Sequence, residues 1–137
     1  MKHISSRYDR VFILGLGFQK CGTSWLYKYL QQSQIFDGGF EKEYHIWDAI
    51  DIPLLEYNQE RKPGLLSRIT RGKRYKRHIM QTNEDEYFDY FTSLYDDQIG
   101  LTADITPSYS ALSSTRMSKI SEGFRERGVS CKAVLLI

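Results

Sequence analysis

The stretch ILGLGFQKCGTSWLYKYL, residues 13–30, constrains this chain more than any other. A β-branched and aromatic run, Val11 to Leu14, ends in glycines and passes directly into an amphipathic pattern in which Trp25, Leu26, Tyr29 and Leu30 recur at helical spacing. Strand, loop and helix in that order make the first unit of a parallel α/β sheet. Thr23 or Ser24 is placed to cap the helix. Glycines let the loop wrap an oxyanion, and the first turn of the helix adds N–H groups and a positive dipole end. A triphosphate-binding loop reads GxxxxGK(S/T), with lysine after the second glycine. Gly17 and Gly22 keep that spacing here, but Thr23 holds the lysine position and the cation is Lys20, inside the loop. Two readings follow from the residues alone: a nucleotide kinase or ATPase with an aberrant loop, for which Asp104 would be the magnesium acid, or a glycine turn without a ligand.

Downstream, FEKEYHIWD reads as a short strand or extended loop, and PLLEYNQER as a helical turn or two broken by KPG. TNEDEYFDYFTSLYDD is the clearest second helix, capped by Thr82 and burying Tyr87, Phe91, Leu94 and Tyr95. IGLTADI is a strand followed by the turn TPSYS. A helix from Ser113 or Ser114 then buries Met117, Ile120 and Phe124 and stops at Gly128. The last segment, CKAVLLI, is strand-like. Alternating elements over 137 residues predict one α/β domain, residues 1–137, with a mainly parallel sheet. Two cysteines supply no disulfide framework, which with the lack of a signal-like or spanning segment leads to the expectation of a cytoplasmic protein with no membrane partner. A net charge of +2 makes nucleic acid an unlikely partner for the whole molecule. Charge is nevertheless segregated: residues 61–77 carry eight Lys or Arg and no acid, while residues 37–60 and 84–104 hold fourteen of the seventeen acids. That basic segment is either a solvated insertion or a grip on a polyanion.

FQKCGTSWL resembles the 5′-phosphosulfate loop of sulfotransferases that use 3′-phosphoadenosine 5′-phosphosulfate, whose usual form is close to PKxGTTWL. Lysine before the glycine is that family's arrangement. The resemblance implies a three-layer fold like that of the P-loop NTPases, a catalytic Lys20 that stabilises the leaving group, and cofactor contacts from Lys20, Cys21, Gly22, Thr23 and Ser24. Trp25 matches a position that stacks on adenine in cytosolic members; a core aromatic on the first helix is the other reading of it. KEYHIWD resembles the KExHxxD segment of carbohydrate sulfotransferases of the heparan type. By that resemblance Glu43 is the general base and His45 its catalytic support, while Lys42 and Asp48 serve the acceptor side. An acceptor that attacks sulfur must lose a proton, and a held carboxylate or imidazole is the usual recipient. DITPSYS is similar to a TPSY segment at a strand end, which would set Thr106, Pro107, Ser108 and Tyr109 along the cleft.

The three segments occur in family order. The resemblance therefore implies transfer of a sulfuryl group to a hydroxyl or amine of a small-molecule or glycan acceptor, yielding 3′-phosphoadenosine 5′-phosphate, with no metal. The expected departure is at the carboxyl end, where the family continues into an R-(D/N)-P segment and the residues that hold the 3′-phosphate. This chain reaches Ile137 without them, so the fold is expected to be incomplete there, with a second chain or a homo-oligomer supplying the rest. A non-catalytic remnant that keeps the fold is the third reading.

Overall fold

A computed structural model describes residues 8–137. Its centre is β1, Val11–Gly17, flanked by β2, Leu101–Ile105, and β3, Ser130–Leu136, in the order β2-β1-β3 with every pairing parallel. Helices pack on both faces. On one face Ile13 meets Leu26 and Leu30 of α1, Thr23–Gln31, together with Ala103 and Ile105. On the other, Phe12 and Leu14 enter a larger aromatic core. Because β1 is central it must be apolar on both sides, and that is why its sequence runs without alternation.

Between α1 and β2 lie four helices and a 3₁₀ segment: α2, Trp47–Asp51, the 3₁₀ helix Pro53–Asn58, α3, Leu65–Thr70, α4, Lys73–Thr82, and α5, Glu84–Ser93. A second 3₁₀ helix, Pro107–Ala111, follows β2, and α6, Ser114–Arg125, leads into β3. Phe12 stacks on Phe124 of α6 at 4.0 Å and meets Phe91 of α5 edge-on at 4.9 Å, and Trp47 meets Tyr87 edge-on at 4.8 Å. Gly123 lets α5 approach α6, since a Cβ there would lie 2.3 Å from the Phe88 ring.

Several expectations change in detail. Neither Thr23 nor Ser24 caps α1: Gly22 takes that position in the left-handed region at φ 92°, and no side chain caps the turn. Asn83, not Thr82, caps α5, accepting from the Asp85 N–H at 3.2 Å. Ser113 caps α6 as expected, accepting from the Arg116 N–H. Residues 41–46 form a loop, not a strand, before α2. The basic stretch, which shows no clear period in sequence, holds α3 and the first half of α4.

The two sheet edges differ. Residues 35–42 run along β2, with the Asp37 N–H donating to Leu101 O at 3.0 Å and the Ile105 N–H to Lys42 O at 2.9 Å. Among the described residues, no strand pairs with the outer side of β3.

At the carboxyl end of β2, Asp104 is fully buried. One carboxylate oxygen accepts from Tyr87 and Tyr109 hydroxyls, both at 2.8 Å; the other accepts from the Thr106 hydroxyl at 2.6 Å and the Tyr44 N–H at 3.3 Å. Burial pushes its pKa up to about 6 against the lowering effect of those four donors. Desolvation thus outweighs the hydrogen bonds by roughly two pH units, on the order of 3 kcal/mol. The folded carboxyl holds its proton more tightly than the unfolded one, so its contribution is fully present below the ordinary value of 3.8 and is lost as pH rises through about 6. The stability difference between wild type and Asp104→Asn should therefore shift in favour of Asn between about pH 4 and 7 and level off above. Urea titrations across that range test this, and a difference independent of pH would contradict it.

Candidate functional site

The three sequence segments converge on one cleft of about 350 Å³ at the carboxyl ends of β1 and β2. Its lining is Gln19, Lys20, Gly22, Thr23 and Ser24 from the β1–α1 loop, Lys42, Glu43 and His45 from the loop before α2, and Pro107 and Ser108 from the turn after β2. These groups lie up to 89 positions apart in sequence, from Gln19 to Ser108, and the parallel pairing of β1 with β2 brings them together.

The loop residues come first. Lys20 has φ 65° and a side chain that makes no hydrogen bond or ion pair among the described residues. Gly22, also left-handed, turns the chain into α1 and leaves the uncapped first-turn N–H groups to serve an anion. Lys42 reaches across from the second segment. Its Nζ donates to the Thr23 hydroxyl at 3.3 Å, the Ser24 hydroxyl at 3.2 Å and the Glu43 carboxylate at 2.8 Å. Lys42 thereby fastens the anion loop to the carboxylate, and the cleft holds two lysines, one free and one engaged.

The second segment is a relay of polar groups. Glu43 Oε2 lies 3.4 Å from His45 Nε2, and His45 Nδ1 lies 2.7 Å from Asp48 Oδ2. Asp48 is completely buried and also accepts from the Ser108 hydroxyl at 2.7 Å and the Ala49 N–H at 2.9 Å. With Asp48 taking the Nδ1 proton, the other ring nitrogen faces Glu43 and the cleft. The hydrogen bond to Asp48 raises the His45 pKa above 6.5, against burial and with the added pull of the Asp48 and Glu43 charges. For Asp48 burial acts upward, but the bonds from His45, Ser108 and Ala49 prevail and lower its pKa. The charged pair therefore stabilises the fold between the depressed Asp48 value and the raised His45 value, and is lost on either side.

His45 itself sits at φ 53°, a left-handed conformation that costs a non-glycine residue about 1–3 kcal/mol. Two side chains from α4 hold it there. Gln81 donates to His45 O at 2.8 Å and to Asn58 O at 3.0 Å while accepting from the Glu60 N–H, and Arg77 donates to the neighbouring Tyr44 O at 3.0 Å. Sequence reasoning missed both, because a Gln and an Arg in a basic helix carry no motif.

Other expected residues lie elsewhere. Thr106 and Tyr109 do not line the cleft: both are fully buried on Asp104, and the Tyr109 hydroxyl also accepts from the Ile46 N–H at 3.0 Å. Cys21 is half-buried beside the lining, with its thiol toward Gln19 O. Trp25 is not a core aromatic; it is 68 % exposed and stacked on Tyr29 at 5.5 Å. Asp104, the acid a magnesium site would need, is enclosed by its four donors. Among the described residues no group of three or more His, Cys, Asp or Glu is arranged to hold a metal ion.

The relay makes a direct prediction for His45. In an NMR pH titration Asp48→Asn should lower the His45 pKa strongly and Glu43→Gln should lower it less. A His45 titration unmoved by Asp48→Asn would mean that the 2.7 Å contact does not set its charge. Comparison with known proteins finds no matching family, no similar curated protein and no similar solved structure.

Proposed function

We propose that this chain carries a sulfotransferase-like site on a P-loop-NTPase-like three-layer fold, and that it serves the transfer of a sulfuryl group from 3′-phosphoadenosine 5′-phosphosulfate to a hydroxyl or amine. The observation that carries the reading is the position of the Glu43 carboxylate, bonded to Lys42 at 2.8 Å and facing His45, on the same cleft as Lys20 and the uncapped start of α1. One wall offers positive groups for an anionic leaving group. The opposite wall offers a proton acceptor. Sulfuryl transfer needs both within the length of one small acceptor.

In this reaction the acceptor oxygen or nitrogen attacks sulfur as the bond from sulfur to the bridging phosphate oxygen breaks. The acceptor proton passes to Glu43, whose orientation depends on Lys42 and His45. Charge that develops on the departing phosphate is met by Lys20 and by the first-turn N–H groups of α1, which are fixed before the reaction begins. Asp48 and Ser108 keep the imidazole aligned. The coarse architecture, an open parallel sheet with a glycine loop between β1 and α1, supports the fold assignment. Among the described residues the outer side of β3 is unpaired, which suits a further strand beside it.

The kinase reading is less well supported because Asp104 is buried and fully engaged. Calorimetric titration separates the two. 3′-Phosphoadenosine 5′-phosphate should bind in preference to ATP with magnesium, and Lys20→Ala should weaken it by about tenfold or more, the worth of one hydrogen bond to a charged group. Preference for magnesium ATP would overturn the proposal, as would binding that ignores Lys20→Ala.

A further inference from the structure

α3 presents an unusual surface. Leu65, Leu66 and Ile69 fall within about 100° of one another around the helix axis at 100° per residue. They form an apolar stripe, yet all three face water, at 74 %, 75 % and 69 % exposure, and no residue of α3 is buried. An amphipathic helix ordinarily turns such a stripe into the core. Here the stripe lies outward, and exposed apolar clusters of this kind mark contact surfaces.

The charges around it identify what would cover it. Arg61, Lys62, Arg68, Arg71 and Arg74 are all exposed, and none of their side chains makes a hydrogen bond or ion pair among the described residues. By contrast Arg77, at the inner end of the same basic run, is paired with Glu60 at 2.8 Å. Arg61, Lys62 and Arg74 share a depression with Gly64 and Ser67 at the start of α3, so cations from before and after the helix gather there; the one acid on its lining, Glu60, is paired with Arg77. No acid lies between residues 61 and 83. A nucleic acid or a soluble polyanion would neutralise the cations and leave three large apolar side chains in water. An anionic lipid surface satisfies both: headgroups pair with the guanidinium groups while the stripe enters the interfacial region.

We propose that α3 and its flanking cations form a peripheral docking surface for anionic membranes. None of these residues lines the cleft, so the inference stands apart from the sulfotransferase reading. It also departs from the expectation of no membrane partner, which considered only spanning segments. In the described residues no helix is long and apolar enough to cross a membrane, and interfacial binding requires none.

Co-sedimentation of the full chain with vesicles tests this. Wild type should bind vesicles that contain phosphatidylserine and not those of phosphatidylcholine alone, and added salt should release it. The triple variant Leu65→Ser, Leu66→Ser, Ile69→Ser alters only exposed positions and should lose most of the binding. Arg61→Gln, Arg68→Gln, Arg74→Gln should weaken it on the order of a hundredfold, from about one headgroup interaction per cation. Circular dichroism and urea unfolding serve as controls that neither variant has unfolded. Equal binding to both vesicle types, no binding to either, or binding indifferent to the serine variant would overturn the proposal. So would retention on heparin without vesicle binding, which would assign the cations to a soluble polyanion, or a dimer in light scattering that the serine variant dissolves, which would assign the stripe to a second copy.

Discussion

Four donors from three parts of the chain close on the Asp104 carboxylate: the Tyr44 backbone, Tyr87 of α5, and Thr106 and Tyr109 just after β2. The sheet alone would fix only the start of the loop that follows β1. Through Asp104 the segment before α2 is bound to the end of β2, and the turn after β2 is bound to the same point. Tyr109 extends the link, accepting from the Ile46 N–H one residue beyond His45. The cost of burying this carboxyl shows in its raised pKa, near 6, and the fold bears that cost at a position where it fastens two of the loops that surround the cleft to each other and to α5.

The cleft inherits its order from that hub. His45 is held between Ile46, tied to Tyr109, and Tyr44, tied to Asp104 and Arg77. This over-determined surround sustains a left-handed backbone at a non-glycine residue. A second strained residue, Lys20, stands across the cleft in the glycine loop. Strain at both walls is consistent with side chains preset for a task, one wall cationic and the other able to take a proton. The loop wall is the more lightly held: Lys42 is its main link to the opposite side, through hydroxyls that a bound anion would compete for.

Much of this was legible in the sequence because local chemistry dictated it. The run before Gly15 is apolar without alternation, so a central strand followed; Ser113 and Gly128 bracket α6 as cap and stop. Lys20, Glu43, His45 and Ser108, singled out by the loop and by the motif resemblances, all line the cleft. What it missed depends on long-range contacts. Thr106 and Tyr109 look like cleft residues from their motif and are instead buried on Asp104, whose carboxylate their hydroxyls satisfy from two and five residues downstream. Trp25 has the spacing of a core residue but sits on the outer side of α1, and Gln81 and Arg77 carry no local signal at all. The helices of the basic run escaped because α3 is only six residues long and half of α4 lies beyond the run, so neither shows a sustained period within it.

The central claim is that the glycine loop and the Glu43–His45 segment form one ligand site. Backbone amide NMR with 3′-phosphoadenosine 5′-phosphate tests it most directly. The account predicts concerted shifts at Gly22, Thr23 and Ser24 and, across the cleft, at Lys42, Glu43 and His45, as Lys42 exchanges the loop hydroxyls for the ligand. Shifts confined to the basic residues around α3, or none at saturating ligand, would contradict it.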